Sequence, residues 1–519
     1  MNELPARPHL DHLKKQAKSL LDGIRRQEPK ALERIRLALP AAAGRDHAAI
    51  AAMNLRLHDA QSCVAREHGF DSWVQLKDHV ALKTLSADVA ARRQQWQRWT
   101  FGHGYQPAKP HLAERLLREH PNLLDGDPVL ACAIGDVAVV GAVIDADPAW
   151  PGHARTGNGM TPLLCATFSA LVGRPGFADG IRACVDRLLD AGADPADAWH
   201  DPELPGEPLS ALYAAAGRNR DARLTERLLR AGADPNDNES LYHAAEVADT
   251  TLVRLLLEAG ARVTGSNALF RALDGEFPET VRLMLAHGGD PNEPGPNGCP
   301  LLHAIRRRRS AEVVGILLDA GADPSVRHAH GVSALRLARS LGLDAVADRL
   351  LQAGAAPEAT SPADALLAAC ARADRPAVRR LLEGDPGLIG RLRPTELRLL
   401  PELAADGQDA AVRLMVEAGW PIAARGGDID GSALNWAVFR GNAPLARFLL
   451  AHGARYDERH GYDDNVYGTL SFASQAETTP GGDWLGCAQA LVEAGSPLPA
   501  ARYVFPEEIA AYFDAQRAA

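Results

Sequence analysis

The chain has 519 residues, a formal charge of −10, and an apolar fraction of 46% with only 5% aromatic residues. That balance argues against a nucleic-acid surface along the whole length, and the lack of any apolar run of about 18 residues argues against a membrane span. Seven cysteines lie scattered without a C-x-x-C pair, which predicts reduced thiols used as small core residues in a cytoplasmic protein. The opening residues, Asn2, Glu3 and Pro5 among them, lack the apolar pattern of an export leader, so secretion is not expected.

Charge is unevenly spread. Residues 1–120 hold 20 Lys and Arg against 13 Asp and Glu, which leaves the remainder at −17. At the start, Leu10, Leu13, Ala17, Leu20, Leu21 and Ile24 share one helical face, with Lys14, Lys15 and Lys18 on the other sides. Helical patterns follow over 29–39 and 47–68, and Asp71 or Ser72 caps a short helix holding Trp73, Leu76 and Val80. Residues 1–83 are therefore expected to form a small helical module. Residues 84–108 read as a linker in which Arg92, Arg93 and Arg98 interleave with Trp96 and Trp99. That mix fits either a nucleic-acid platform or rings packed on the next element with their charges solvated, and the second reading is preferred.

From 109 to 519 the pattern becomes periodic. Its clearest unit runs from Asn297 to Pro324, where Leu301–Ile305 and Val313–Leu318 flank the run Arg306–Arg309 and predict a helix-turn-helix hairpin. Gly321 closes the second helix, and Pro324 prevents its continuation. The closing glycine recurs at Gly192, Gly232, Gly260, Gly288, Gly321, Gly354, Gly384, Gly419, Gly453 and Gly495, at spacings that centre on 33 residues. Degenerate end units over 112–144 and a closing helix over 507–513 are expected to cap the array.

These motifs resemble the ankyrin-repeat family. Thr161-Pro162-Leu163, Cys299-Pro300-Leu301 and Ser333-Ala334-Leu335 match its Thr-Pro-Leu-His opening, and Gly192–Pro195, Gly232–Pro235 and Gly321–Pro324 match its closing turn. The departures are the 28-residue spacings between Gly232 and Gly288, which leave little room for a hairpin finger, and Pro401 at the place of the motif's His. Ahead of the array, Gly69-Phe70-Asp71-Ser72-Trp73 with Leu76-Lys77 resembles a segment that precedes bacterial ankyrin arrays. The resemblance implies an all-α ankyrin-repeat solenoid of about ten to eleven units.

Loop insertions stand out against this period. The interval from the first-helix Ala to the closing Gly is 16 in regular units such as Ala338–Gly354, but 26 from Ala166 to Gly192 and 22 from Ala473 to Gly495. The extra residues fall at 171–179 and 476–484, and two further irregular stretches, 197–207 and 457–467, lie between repeats. Trp436 and Phe472 are expected to pack between repeats.

No phosphate-binding, zinc-protease, nucleophile-elbow or dinucleotide motif is present. The pairs His9/His12 and His328/His330 lack further ligands at suitable spacing. No catalytic residue, metal or cofactor is expected, and the chain reads as a non-catalytic scaffold for a protein partner. By resemblance, partners meet hairpin loops and the exposed side of first helices. Those positions are Glu246, Asp274, Arg306, Arg307, Phe439 and Arg440 on helices, with Arg327, His328, His330, Asp428 and Asp430 on hairpins. The four-arginine run is expected either as a solvated tip or as a site for acidic groups. The alternative function is a regulator whose basic first 120 residues touch nucleic acid while the array holds a protein.

Overall fold

A computed structural model describes residues 4–518 apart from 6, 7, 54, 56, 105, 204, 205, 207, 296, 297, 329, 330 and 477, with the backbone alone at 507 and 518. The chain forms two compact units, Met1–Asp234 and Pro235–Ala519. Both are built from short helices. Among the described residues, strand is confined to two small antiparallel hairpins, Ala198–Trp199 with Leu209–Ser210 and Arg425–Gly426 with Gly431–Ser432.

In the first unit, helices Leu10–Arg25, Pro29–Ala38, His47–Ala51, Leu57–Glu67 and Trp73–Lys83 share a core that includes Leu13, Ala17, Leu20, Ile35, Val64 and Leu76. The pattern read as one helix over 47–68 is thus two helices. Ser72, not Asp71, is the cap of the last of the five, accepting from the Gln75 amide at 3.2 Å. Residues 84–108 contain a helix, Val89–Phe101, that buries Trp96 and Trp99. Rings three positions apart lie on one helical face and remove large apolar areas from water. Arg93, beside them, donates to the Leu123 carbonyl at 3.0 Å.

After helix Pro110–Glu119 come three helix pairs: Pro128–Ile134 with Val137–Ala146, Pro162–Phe168 with Ala178–Asp190, and Ala211–Tyr213 with Ala222–Ala231. In the last pair the first helix continues as a π-helical turn, Ala214–Arg218. Thr161 caps its helix by accepting from the Leu164 amide at 3.1 Å, as the Thr-Pro-Leu opening predicts. The insertion at 171–179 begins in a short turn whose Leu171 and Val172 are buried, and Ser169 Oγ donates to the Ala133 carbonyl at 2.7 Å. The stretch 197–207 enters the first hairpin, where the Trp199 indole donates to the Asn158 carbonyl at 3.0 Å. Its residues 204, 205 and 207 lie outside the described ones.

The second unit holds, among the described residues, eight helix pairs. They are Ser240–Ala244 with Thr251–Glu258, Ala268–Asp274 with Pro278–Ala286, Pro300–Arg306 with Ala311–Asp319, Ala334–Ser340 with Asp344–Gln352, Pro362–Ala371 with Arg375–Gly384, Leu399–Ala405 with Asp409–Glu417, Ala433–Phe439 with Ala443–Ala451, and Val466–Ala476 with Trp484–Glu493. Helix Glu507–Ala518 follows the last. Each first helix packs on the next first helix and on its own partner, and Leu269, Leu301, Ile305, Leu335, Leu366, Leu400, Leu434 and Leu470 are buried between them. No pair is long enough to be stable alone, so burial between neighbours holds the unit. Pro401 is tolerated because it sits in the first turn of its helix, where an amide would lack an intrahelical acceptor anyway.

The closing glycines are selected by backbone conformation. Nine of the ten adopt φ between +77° and +100°, and a Cβ built on any of them would meet nothing within 4 Å. The amide after each of these nine glycines reaches back five residues to close the helix, as from Ala322 to the Leu317 carbonyl at 2.9 Å. Gly384 differs: it is the last helical residue, and Asp385 caps the helix with φ −150° and ψ 84°. The motif's period passes through Gly384, but its turn does not form there.

A polar tie joins successive repeats at the start of the second unit. Four residues after Gly232, Gly260 and Gly288 stand Asn236, Thr264 and Asn292. Each accepts from the amide two residues beyond the next closing glycine, from Arg262 at 2.9 Å, Asp290 at 3.0 Å and Asp323 at 2.8 Å. Each also donates to that glycine's carbonyl, at 3.5, 3.4 and 2.9 Å. The rungs at Asn236 and Thr264 span the two 28-residue spacings, which leave little room for a hairpin, and the rung at Asn292 spans the 33-residue spacing that follows, alongside a turn in which Gly295 and Gly298 exchange backbone hydrogen bonds.

The other two irregular stretches are likewise anchored within the second unit. Gly461 donates to the Ile429 carbonyl at 2.7 Å, Asp483 to the Gly441 carbonyl at 2.8 Å, and Thr478 to the Phe439 carbonyl.

Candidate functional site

The first helices of the second unit present polar residues at their C-terminal ends, and stacking brings those ends into a row. Glu246 accepts from His243 at 2.9 Å and from Arg271 of the next first helix at 2.8 Å. Burial alone would raise its carboxyl, but those two hydrogen bonds outweigh it and hold the group at about 2. Arg271 also faces Asp274 at 3.4 Å, and Asp274 receives His303 at 3.0 Å and Arg307 at 2.8 Å. Burial opposes ionisation of Asp274 too, yet the His303 hydrogen bond and the Arg307 charge bring its pKa below the ordinary value. Glu246, Asp274 and Arg307 therefore do not make separate acidic and basic patches. They form one alternating ladder.

The ladder then leaves its own neighbourhood. Arg307 reaches Asp428 at 2.8 Å, and Arg306 reaches Glu402 at 3.5 Å. Glu402 also meets Arg398 at 3.6 Å, and Arg398 pairs with Asp430 at 2.9 Å, as does Arg425 at 3.0 Å. Helix Pro300–Arg306 is thus tied to helix Leu399–Ala405 and to the hairpin 425–432, with two helix pairs lying between them in sequence. The run Arg306–Arg309 is not a solvated tip. Arg308 takes a left-handed conformation, φ 57°, and donates to the Leu341 carbonyl at 2.9 Å, while Arg309 turns toward Glu276 at 3.7 Å.

Beneath these pairs lies a cavity of about 870 Å³. Its apolar wall includes Val332, Leu337, Leu341, Leu367, Leu397 and Pro421, and its charged wall includes Arg306, Arg336, Arg398, Glu396 and Glu402. Arg336 is fixed by Asp364 at 2.8 Å and faces Glu396 at 3.6 Å. Burial pushes the Glu402 carboxyl up against the pull of Arg306 and Arg398, and it likewise pushes up Asp406 against Arg308, Arg307, Arg309 and Arg440. The cavity combines donor-rich guanidinium groups with an apolar floor, a lining suited to an amphipathic chain segment.

The remaining expected positions are placed as follows. Arg327 pairs with Glu358 at 2.9 Å, and His328 lines the cavity. His330 lies outside the described residues. Arg440 donates to the Ala405 carbonyl at 2.9 Å and packs over Gly407. Phe439 stacks on Phe472 with ring centroids 6.3 Å apart. Phe472 does pack between repeats, yet it is 58% exposed, so the pair also forms an apolar surface. Arg336, Glu396, Arg398 and Glu402 were not singled out from sequence, because nothing local marks them.

All seven cysteines are buried and unpaired. Burial pushes the thiols of Cys63, Cys184 and Cys370 up to about 12, so they are poor nucleophiles. Among the described residues, no cluster of three or more His, Cys, Asp or Glu is arranged to hold a metal ion, and no helix is long and apolar enough to cross a membrane.

This architecture of stacked helix pairs is that of an all-α ankyrin-repeat solenoid. The family model for ankyrin repeats matches the chain over 211–294 and 241–328, the region that contains the polar rungs. The crystal structure of the human ASB11 ankyrin repeat domain is similar over its whole length and 45% of this chain, at 21% identity and a TM-score of 0.34. No curated protein matches. Ankyrin repeats are in general protein–protein interaction modules.

Proposed function

We propose that the chain is a non-catalytic scaffold, and that a protein partner is held on the first-helix face of the second unit, around the cavity between Leu337, Leu397 and Arg306. The observation that carries this reading is the cavity itself: it is lined by guanidinium groups, carboxylates and aliphatic side chains, and set on helices whose positions are fixed by stacking on both sides. Such a surface is preorganised, so little ordering cost falls on binding. The exposed Phe439–Phe472 stack offers an aromatic anchor on the same series of first helices. In this reading residues 1–83 form a separate helical module ahead of the array.

The test is capture with the intact chain as bait, followed by titration of the captured protein against two variants. Leu337→Glu places a charge on the apolar wall, and Arg306→Ala with Arg307→Ala removes one guanidinium group of the lining and the one next to it in the chain. Loss of affinity in both, with an unchanged circular dichroism spectrum, supports the cavity as the binding face. Unchanged affinity in both sinks it.

A further inference from the structure

Arg306 lines the cavity and Arg307 is the next residue, and both already face carboxylates of the same chain, Glu402 and Asp428, which lie 96 and 121 residues further along. The tie is of an exchangeable kind. Asp428 is half exposed on the short loop between strands Arg425–Gly426 and Gly431–Ser432, and Arg306 and Arg307 keep about a quarter to a third of their side-chain surface open to water. The Arg307–Asp428 pair, with Asp428 half exposed, is of the solvent-accessible kind that is individually weak. At 3.5 Å, Arg306 holds Glu402 less closely than Arg307 holds Asp428, and Glu402 is shared with Arg398.

From this geometry we infer that Glu402 and Asp428 act as built-in competitors, standing where the carboxylates of an acidic, aliphatic-rich partner segment bind, so that the partner must exchange itself for them. The inference rests on the functional reading above and adds the partner's chemistry and a regulatory step. Each own-chain carboxylate displaced is replaced by one from the partner, so the exchange leaves the arginines paired throughout. The net driving force then comes from aliphatic side chains entering the space beside Leu337, Leu341 and Leu397. Release of Asp428 removes one tie of the hairpin 425–432, which stays held through Asp430 to Arg398 and through the Ile429 carbonyl to Gly461.

The experiment uses the full chain, the double variant Glu402→Gln with Asp428→Asn, and a short fluorescent peptide of alternating Glu and Leu, with its Gln/Leu counterpart as control. Two ion pairs removed from competition correspond to about a tenfold gain in affinity. The expected result is that the Glu/Leu peptide binds the double variant about tenfold more tightly than wild type, that the control peptide binds neither, and that backbone amides of 425–432 exchange faster in the variant. Equal or weaker peptide binding by the variant overturns the competitor role. Unchanged exchange at 425–432 overturns the tie itself. If neither form binds the Glu/Leu peptide while a captured partner still depends on Leu337, the acidic partner is overturned and the scaffold reading survives.

Discussion

Replacing Asn292 by Ala removes the shortest of the polar rungs. Its side chain accepts from the Asp323 amide at 2.8 Å and donates to the Gly321 carbonyl at 2.9 Å, so the substitution leaves one donor and one acceptor to water. A net hydrogen bond contributes about 0.5–1.5 kcal/mol, and this rung is on an exposed edge, so the two together amount to about 1–2 kcal/mol. Asn292→Asp keeps the acceptor and loses the donor, and should cost about half as much. Asn236 and Thr264 have longer bonds to their carbonyls, 3.5 and 3.4 Å, and their Ala variants should fall below Asn292→Ala. Urea unfolding followed by circular dichroism reads these differences as midpoint shifts, about 0.5 M for Asn292→Ala at a slope of about 2–3 kcal/mol/M. The reasoning fails if Asn292→Ala leaves the midpoint in place, or if Asn292→Asp costs as much as Asn292→Ala.

Two further outcomes follow from the same unit. Leu317 is fully buried, so Leu317→Ala should cost about 2–5 kcal/mol and broaden or split the urea transition, since each pair depends only on its neighbours; a transition as sharp as the parent's at the same midpoint would contradict that placement. Glu246 is held at about 2 against an ordinary 4.5, so its contribution to stability is complete above about pH 4.5 and is lost as the pH falls toward 2. An acid titration of Glu246→Gln should lack that portion of the destabilisation, and a curve identical in shape to the parent's would exclude it.

What was legible in the sequence was whatever repeats locally. A helix pair writes its apolar face every three or four residues and its end in a glycine, so the array, its period and most caps could be read directly. Gly384 shows the limit: the period alone does not report φ, and the helix there closes through Asp385 instead. The rungs did carry a signal, an Asn or Thr four residues after Gly232, Gly260 and Gly288. The helix Val89–Phe101 was hidden because its Trp residues read equally well as a linker's. The ties from Arg306 to Glu402 and from Arg307 to Asp428 had no linear signature at all. They depend on a bend accumulated over several pairs, and a small rotation at each would separate the groups.

The polar rungs also bear on how the unit answers to mechanical tension. A load applied between residues 236 and 323 must break two hydrogen bonds at every step before neighbouring pairs can part. Between helix Arg375–Gly384 and helix Leu399–Ala405 no such rung bridges the described residues, and the backbone there passes through short turns, Ile389–Arg391 and Pro394–Leu397. Under tension the rung-bound pairs are therefore expected to move together as one block.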